Sequence, residues 1–228
     1  MRRHVLILGA GFGGLELATR LSGSLADEVH VTLVDKDDAF VFGFSKLDVM
    51  FGRRTLADVR IPYGEIAKAG VEFRQELVTS IDPTARRVVT DGGAYEPDIL
   101  VVALGADYEP SATPGFVDAG HEYYSVPGAE RLREVLPSIE KGVVVVAILG
   151  TPFKCPPAPF EGALLLHDHF VGRGVRDAVE IRMLSPMDSP IPVSPETSTA
   201  ITTALDERGI GMRFGELVTS LDPASHTA

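Results

Sequence analysis

Runs of apolar residues divide the chain into short strands that alternate with helical segments. Residues 4–8 and 29–34 are apolar, β-branched stretches that predict strands, and residues 15–21 between them have a helical pattern. Residues 98–105 predict a further buried strand, and the β-branched run 143–147 predicts another strand. Strands that alternate with helices are typical of an α/β fold with a parallel sheet.

A glycine loop follows the first strand. The stretch GAGFGG, residues 9–14, has the spacing G-x-G-x-x-G between a strand and a helix. Gly9 permits the tight turn, Gly11 lets a pyrophosphate approach the backbone, and Gly14 lets the helix pack closely on the strand. Asp35 ends the second strand, 21 residues after Gly14, where it can accept hydrogen bonds from a ribose. We therefore predict a dinucleotide site, against the alternative of a glycine-rich turn with a solvated aspartate.

Composition narrows the class of protein. The 228 residues give room for one large or two small domains, and their formal net charge of −11 repels a nucleic acid at long range, which excludes that partner. No run approaches the roughly 18 apolar residues that a membrane-spanning helix needs. The single cysteine, Cys155, cannot form an internal disulfide, which fits a reducing compartment and predicts a cytoplasmic protein.

An internal repeat predicts the domain organisation. Three segments recur in the same order: 7–9 as 148–150, 29–34 as 179–184, and ELVTSIDP at 76–83 as ELVTSLDP at 216–223. Coincidence among common strand sequences is the weaker account. We therefore predict tandem Rossmann-like units with a three-layer β/β/α architecture, over residues 1–118 and 119–228, the second unit being incomplete.

The second unit has a modified loop. When GTPFKC, residues 150–155, is placed over GAGFGG, Pro152 lies opposite Gly11 and Cys155 opposite Gly14. Proline has no N–H group and adds a ring where a pyrophosphate should approach. The second strand of this unit ends in Ser185 instead of an acid. We predict weak or absent NAD(P)H binding here, and a thiol where the phosphate contacts were.

Three stretches resemble one family. GAGFGG, the strand DILVVALGA at 98–106 and KCPPAP at 154–159 are similar to the FAD-dependent pyridine nucleotide-disulfide oxidoreductases with two dinucleotide folds. The resemblance is greatest to sulfide:quinone oxidoreductases and to the flavoprotein of flavocytochrome c sulfide dehydrogenase. It implies that FAD occupies the first unit. The residues it implies around FAD are Gly9, Gly11, Phe12, Gly13, Gly14, Asp35, Lys36, Val78, Ala103 and Gly105.

The same resemblance implies sulfur chemistry in the second unit. Cys155 would be a redox thiol facing the flavin, Lys154 a cation that favours the thiolate, and Glu161 a proton acceptor. The activity implied is oxidation of sulfide or a related sulfur species, with electrons passed to a quinone or a cytochrome. A buried structural thiol is the alternative reading of Cys155. No metal site is predicted, because His167 and His169 point to different sides of a helix.

Two departures from the family keep other functions open. Its members use a second, downstream cysteine, and this chain has none; it also stops at Ala228, which predicts a truncated protein. A type II NADH dehydrogenase-like flavoprotein is one alternative, although it would need a working second glycine loop. A non-catalytic dinucleotide-binding fragment is the other. Peripheral membrane association through a missing C-terminal region, and a homodimer, are further expectations.

Overall fold

The computed structural model describes residues 2–25, 27–66, 68–225 and 227–228. The strands are β1 Arg3–Leu8, β2 Val29–Asp35, β3 Ala39–Val41, β4 Arg60–Pro62, β5 Val71–Gln75, β6 Val78–Asp82, β7 Arg87–Thr90, β8 Ala94–Tyr95, β9 Ile99–Val102, β10 Gly142–Ala147, β11 Val179–Ser185 and β12 Ile210–Phe214. The α-helices are α1 Phe12–Leu25, α2 Ser45–Met50, α3 Leu56–Val59, α4 Phe116–Ala119, α5 Val126–Val135, α6 Ala158–Gly172 and α7 Pro195–Asp206. Short 3₁₀ helices cover Tyr63–Ile66, Pro110–Ala112, Leu136–Ser138 and Arg176–Ala178.

The chain forms two compact units. The first comprises Met1–Phe42 and Val59–Asp107, and the second comprises Gly43–Asp58 and Tyr108–Ala228. The segment that contains α2 therefore belongs with the second unit although it lies within the first half of the sequence. A boundary between residues 118 and 119 stays a prediction of the sequence.

The first unit has a parallel sheet covered on both faces. Its strand order is β5-β2-β1-β9. Val5 and Ile7 of β1 pack on the side of α1, whereas Leu6 and Leu8 pack with Val88 of the antiparallel sheet β6-β7-β8. Successive side chains of a strand point to opposite faces, so a strand covered on both faces is apolar throughout. This arrangement confirms the predicted three-layer β/β/α fold.

The second unit repeats the first three strands in the same spatial order, β12-β11-β10, all parallel. Ile181 and Met183 of β11 are buried in the core, as are Phe160 and Phe170 of α6. The opposite face of β11 carries exposed residues, including Glu180 and Arg182, which form an ion pair with each other at 2.6 Å. One face of this sheet is therefore exposed, unlike either face of β1.

The predicted strands are confirmed with two corrections. Residues 98–105 form a shorter strand, β9, which lies at the sheet edge and leaves Val102 58% exposed, so it is not buried as expected. The second copy of the ELVTS repeat is not a strand, although Val78–Asp82 of the first copy is. The first copy pairs with β7, whereas Leu221 N–H of the second copy donates to the carbonyl of Pro114 in a loop.

Candidate functional site

Two glycines of the first loop are required by packing. Gly9 has φ +97°, and a Cβ there would collide with the carbonyl oxygen of Ala103, whose own N–H donates to Leu8 at 2.7 Å. A Cβ on Gly14 would collide with the carbonyl oxygen of Gly9. The loop therefore lies directly on the end of β9 and beneath the first turn of α1. Ala103 lies beside the loop, as its place in the family strand implies.

The other glycines leave room for a ligand. A Cβ on Gly11 would meet no atom within 4 Å, and one on Gly13 would meet only the Cβ of Ala103 at 3.9 Å. Leu15 N–H donates to the carbonyl of Gly11 at 2.9 Å, so the N–H groups of Phe12, Gly13 and Gly14 at the start of α1 have no acceptor one helical turn earlier and face a ligand. Helix N-termini of this kind bind phosphates. The open space and the donors together fit the pyrophosphate of FAD.

Asp35 ties the loop to the end of β2. Its Oδ2 accepts the N–H of Ala10 at 2.6 Å and its Oδ1 accepts the N–H of Asp37 at 3.0 Å. A carboxylate has about four acceptor positions, so capacity for a ribose hydroxyl remains. Lys36 is exposed beside it, and its carbonyl accepts a hydrogen bond from Gln75 at 3.3 Å.

Three other predicted FAD residues have different surroundings. Phe12 is 64% exposed and meets Phe40 and Phe42 edge-to-face, with ring centroids 5.2 and 5.8 Å away. Gly105 is exposed with φ +76°. Val78 is partly buried and packs with the core of the antiparallel sheet. Contact of these residues with FAD stays a prediction.

Sequence reasoning missed the residue that supports the loop from below. Tyr63 is buried and donates its hydroxyl to the carbonyl of Ala10 at 3.0 Å, while its ring packs on Phe73 at 4.6 Å. Burial raises the pKa of Tyr63, and the negative charge of Asp35 raises it further. No local pattern distinguishes this tyrosine, because its partner lies 53 residues away.

Strand register corrects the alignment of the second loop. Leu8 pairs with Val34 in β2, and Ala147 pairs with Leu184 in β11. Gly9 N–H donates to Val34, and Ile148 N–H donates to Leu184 in the same way. Ile148, not Gly150, therefore takes the place of Gly9.

The second loop is also much longer than the first. Residues 148–157 separate β10 from α6, whereas residues 9–11 separate β1 from α1. Gly14 is inside its helix, but Cys155 precedes α6. The pairing of Cys155 with Gly14 is therefore wrong, because the thiol lies in a loop extension.

Cys155 is exposed, which excludes the alternative of a buried structural thiol. It has φ +57°, a left-handed conformation that residues other than glycine adopt at an energetic cost. Its carbonyl accepts the N–H of Ala158 at 2.9 Å, at the first residue of α6. Phe160 then anchors the helix in the core. The loop thus presents the thiol at the surface next to a rigid helix start.

The two other predicted catalytic residues are near this helix start. Lys154 places its Nζ over the ring of Tyr124, 4.6 Å from the centroid. Glu161 is half-buried in the first turn of α6, and burial raises its pKa. Gly162 allows the close approach of Tyr123, because a Cβ at Gly162 would collide with the tyrosine hydroxyl. A carboxyl with a raised pKa is suited to exchange protons.

Lys46, which is not among the predicted catalytic residues, also belongs to this second group. Its Nζ donates to the carbonyl of Tyr124 and lies 5.6 Å from that ring. Burial lowers the pKa of Lys46, and the charge of Lys154 lowers it further. Lys46 and Tyr124 are 78 positions from each other, so only folding brings them together.

The remaining candidates do not form a metal centre. Among the described residues no group of three histidine, cysteine, aspartate or glutamate side chains is placed to hold an ion. His167 accepts a hydrogen bond from Arg176 at 2.9 Å, and His169 stacks on Phe51. In the same described ranges, none of the helices is long and apolar enough to cross a membrane.

Together the fold and the glycine loop define a dinucleotide-binding α/β protein with two Rossmann-like units. Residues 3–227 match the pyridine nucleotide-disulphide oxidoreductase family. The chain belongs to this family, whose members are FAD-binding flavoproteins and oxidoreductases. The predicted family and cofactor are thereby confirmed.

Three relatives illustrate the range of the family. The chain is 35% identical, over 58% of its length, to a type II NADH:quinone oxidoreductase from Staphylococcus saprophyticus. The sulfide:quinone oxidoreductase of Aquifex aeolicus superposes on 97% of the chain with a TM-score of 0.86 and 27% identity. NDH2 of Plasmodium falciparum in complex with NADH superposes on 97% of the chain with a TM-score of 0.77 and 15% identity. This similarity shows the fold alone.

The chain is much shorter than these relatives. It matches 33% of the staphylococcal protein, and it spans 53% of the Aquifex chain and 50% of the Plasmodium chain.

Proposed function

We propose that the chain is part of an FAD-dependent oxidoreductase that oxidises sulfide or a related sulfur species through Cys155. The exposed thiol in the extended loop between β10 and α6 is the observation that carries the proposal. A left-handed cysteine costs stability that a glycine would not, so a function for the thiol explains its presence. The similarity to the sulfide:quinone oxidoreductase of Aquifex supports the same substrate.

In this proposal the second unit supplies a nucleophile and a proton acceptor. The Cys155 thiolate forms a sulfur–sulfur bond with hydrosulfide, giving a persulfide and releasing one proton and two electrons. Glu161 accepts the proton, as its half-buried position in the first turn of α6 and its raised pKa support. FAD, which the glycine loop of the first unit would hold, would supply a two-electron acceptor for this step, with a quinone or cytochrome as the final acceptor.

A second candidate is NADH-dependent reduction of quinone. The 35% identity to a type II NADH:quinone oxidoreductase favours it. Against it, Pro152, Pro156 and Pro157 in the second loop lack the N–H groups that a pyrophosphate would use. The two candidates differ in the electron donor and share FAD.

The visible spectrum of the purified protein tests both candidates. Bound FAD is expected to give bands at about 375 and 450 nm. Under anaerobic conditions, sulfide should bleach the 450 nm band and NADH should not. Bleaching by NADH alone would select the second candidate, and a colourless protein that takes up no added FAD would contradict both.

Two variants separate cofactor binding from sulfur chemistry. Cys155→Ser should retain the FAD spectrum and lose reduction by sulfide. Gly11→Ala should lose FAD, because the added methyl group fills the space that the pyrophosphate needs. Sulfide reduction that survives in Cys155→Ser would leave the thiol without the proposed role.

The proposal places the whole protein in the cytoplasm at the membrane surface, where quinones are dissolved. The quinone acceptors of the two oxidoreductases named above support this location. A homodimer is part of the same proposal. Flotation with quinone-containing vesicles and sedimentation velocity measure these two properties.

A further inference from the structure

Two ammonium groups of the second unit converge on one tyrosine. The Nζ of Lys154 lies 4.6 Å from the centroid of the Tyr124 ring, and the Nζ of Lys46 lies 5.6 Å from it. Lys46 also donates to the carbonyl of Tyr124. One cation over an aromatic face is a common contact, but two on the same ring repel each other.

The position of Lys46 makes this repulsion costly. The side chain is half-buried, and both burial and the charge of Lys154 lower its pKa. A poorly solvated cation beside a second cation gains stability when an anion binds between or beside them. The site is therefore electrostatically suited to a negatively charged ligand.

Glu122, whose negative charge also acts on Lys46, has other partners. Glu122 accepts hydrogen bonds from the Tyr108 hydroxyl at 2.9 Å, from Ser125 N–H at 2.8 Å and from the Ser125 hydroxyl at 2.6 Å. These bonds fix the carboxylate at the start of α5. An ammonium group has three donors, and the Tyr124 carbonyl takes one of those on Lys46, which leaves capacity for a ligand.

The surroundings favour a small sulfur anion over a phosphate. Lys154 is adjacent in sequence to the exposed Cys155, and the charge of the thiolate acts favourably on Lys46. The loop offers prolines where a phosphate site would offer backbone N–H groups, at Pro156 and Pro157. The two cations are lysines, which act as point charges and lack the bidentate fork that suits tetrahedral oxyanions.

We propose that Lys46 and Lys154 form an anion site on Tyr124 that holds hydrosulfide, or a short persulfide or polysulfide anion, next to Cys155. The sulfur ligand rests on the proposed function, whereas the anion site rests on the positions of the two lysines. Lys46 and Lys154 are positioning residues here. Their expected effect is on sulfide affinity, with little change in the limiting rate.

Alkylation of Cys155 tests the anion site without any catalytic activity. The chain has one cysteine, so labelling with iodoacetate or iodoacetamide reports on that thiol alone. The ratio of the iodoacetate rate to the iodoacetamide rate should fall by about threefold to tenfold in Lys46→Gln and in Lys154→Gln, because only iodoacetate is charged. Lys46→Arg should keep the ratio, and Lys141→Gln, which removes an exposed lysine of the same unit, should also keep it.

Sulfide kinetics of the FAD-loaded protein test the ligand. The sulfide concentration for half-maximal flavin reduction should rise at least about threefold in Lys46→Gln, with the limiting rate within about twofold of wild type. Lys141→Gln again serves as the control.

Each outcome decides one question. If the Lys46→Gln variant has the circular dichroism spectrum of the wild type and an unchanged alkylation ratio, the anion site is refuted. A lowered ratio in a protein that sulfide does not reduce would keep the anion site and refute the sulfur function. A lowered ratio with an unchanged half-saturating sulfide concentration would refute the assignment of the site to a sulfur anion.

Discussion

The glycines of the first loop are constrained by different neighbours. Gly14 lies against the carbonyl of Gly9, so it has no room for a side chain. Gly11 has open space around it, and we propose that a ligand approaches the backbone there. The two positions therefore separate stability from cofactor binding.

We expect Gly14→Ala and Gly11→Ala to differ in the apo protein. Gly14→Ala should lower the free energy of unfolding by about 1–3 kcal/mol, because the methyl group forces the helix away from the loop. Gly11→Ala should unfold like the wild type while losing FAD affinity. Urea denaturation and FAD titration measure the two effects. Equal destabilisation by both substitutions would contradict this division.

Glu161 is expected to make stability depend on pH. Its folded pKa is raised by burial, so its contribution is fully present below the unfolded pKa of about 4.3 and is lost as the pH rises through the folded pKa. Glu161→Gln removes this loss of stability, because glutamine does not ionise. The variant should therefore melt at a higher temperature than the wild type at pH 8, with the difference disappearing near pH 4.

Thermal denaturation at both pH values measures this effect. Glu196→Gln is the control, because it removes an exposed glutamate from the first turn of another helix, α7. A pH-independent difference between Glu161→Gln and the wild type would show that burial of the charge is not its cause.

Among the elements, the two strand–loop–helix segments differ most in their loops. The loop after β1 is three residues long and closes on Asp35 through the Ala10 N–H. The loop after β10 is extended and carries Cys155 in a left-handed conformation. At the end of β11, the side chain of Ser185 accepts the local N–H of Met187 at 3.2 Å. The same pair of elements thus carries a glycine loop once and a thiol the second time.

Cys155→Gly should be at least as stable as the wild type, although it removes the thiol. Glycine relieves the left-handed strain, worth about 1–2 kcal/mol, and this gain offsets its larger conformational entropy in the unfolded chain. Cys155→Ala retains the strain and is the control. Chemical denaturation of both variants measures the difference. A Cys155→Gly variant less stable than Cys155→Ala would show that the backbone is not strained at this position.

Across the whole molecule, the two units share strand order but differ in how their sheets are covered. The first unit has apolar packing on both faces of β1, whereas β10 forms the edge of the second sheet and leaves Val143 and Val145 50% and 44% exposed. Exposed apolar edge strands promote association between molecules.

We expect this edge to contribute to self-association. Val143→Lys with Val145→Lys should lower the weight-average sedimentation coefficient at high protein concentration, because lysines block pairing at an edge strand. The lysines face solvent beside Glu180 and Arg182, their partners in β11, so folding should be unaffected. A double variant that associates as the wild type does would place the interface elsewhere.

Much of the fold follows from local sequence pattern. Local signals predict the first strand, its glycine loop and the position of Asp35 at the end of the second strand. These signals can be recognised because strand, turn and helix patterns each extend over only a few residues. The repeat in sequence predicted the second unit, and β10-β11-β12 confirm it. The register of its loop could not be predicted, because an extension of a loop leaves no periodic signal.

The sequence by itself determined the family, the two Rossmann-like units, FAD as the cofactor and the glycines that define its loop. Only the tertiary structure showed that Tyr63 supports Ala10, that Cys155 lies exposed in an extended loop, and that Lys46 meets Lys154 at Tyr124. The first group depends on interactions between near neighbours in the chain. In the second group, the bond from Tyr63 to Ala10 spans 53 residues and the bond from Lys46 to Tyr124 spans 78. Such contacts form only when the sheets and helices pack.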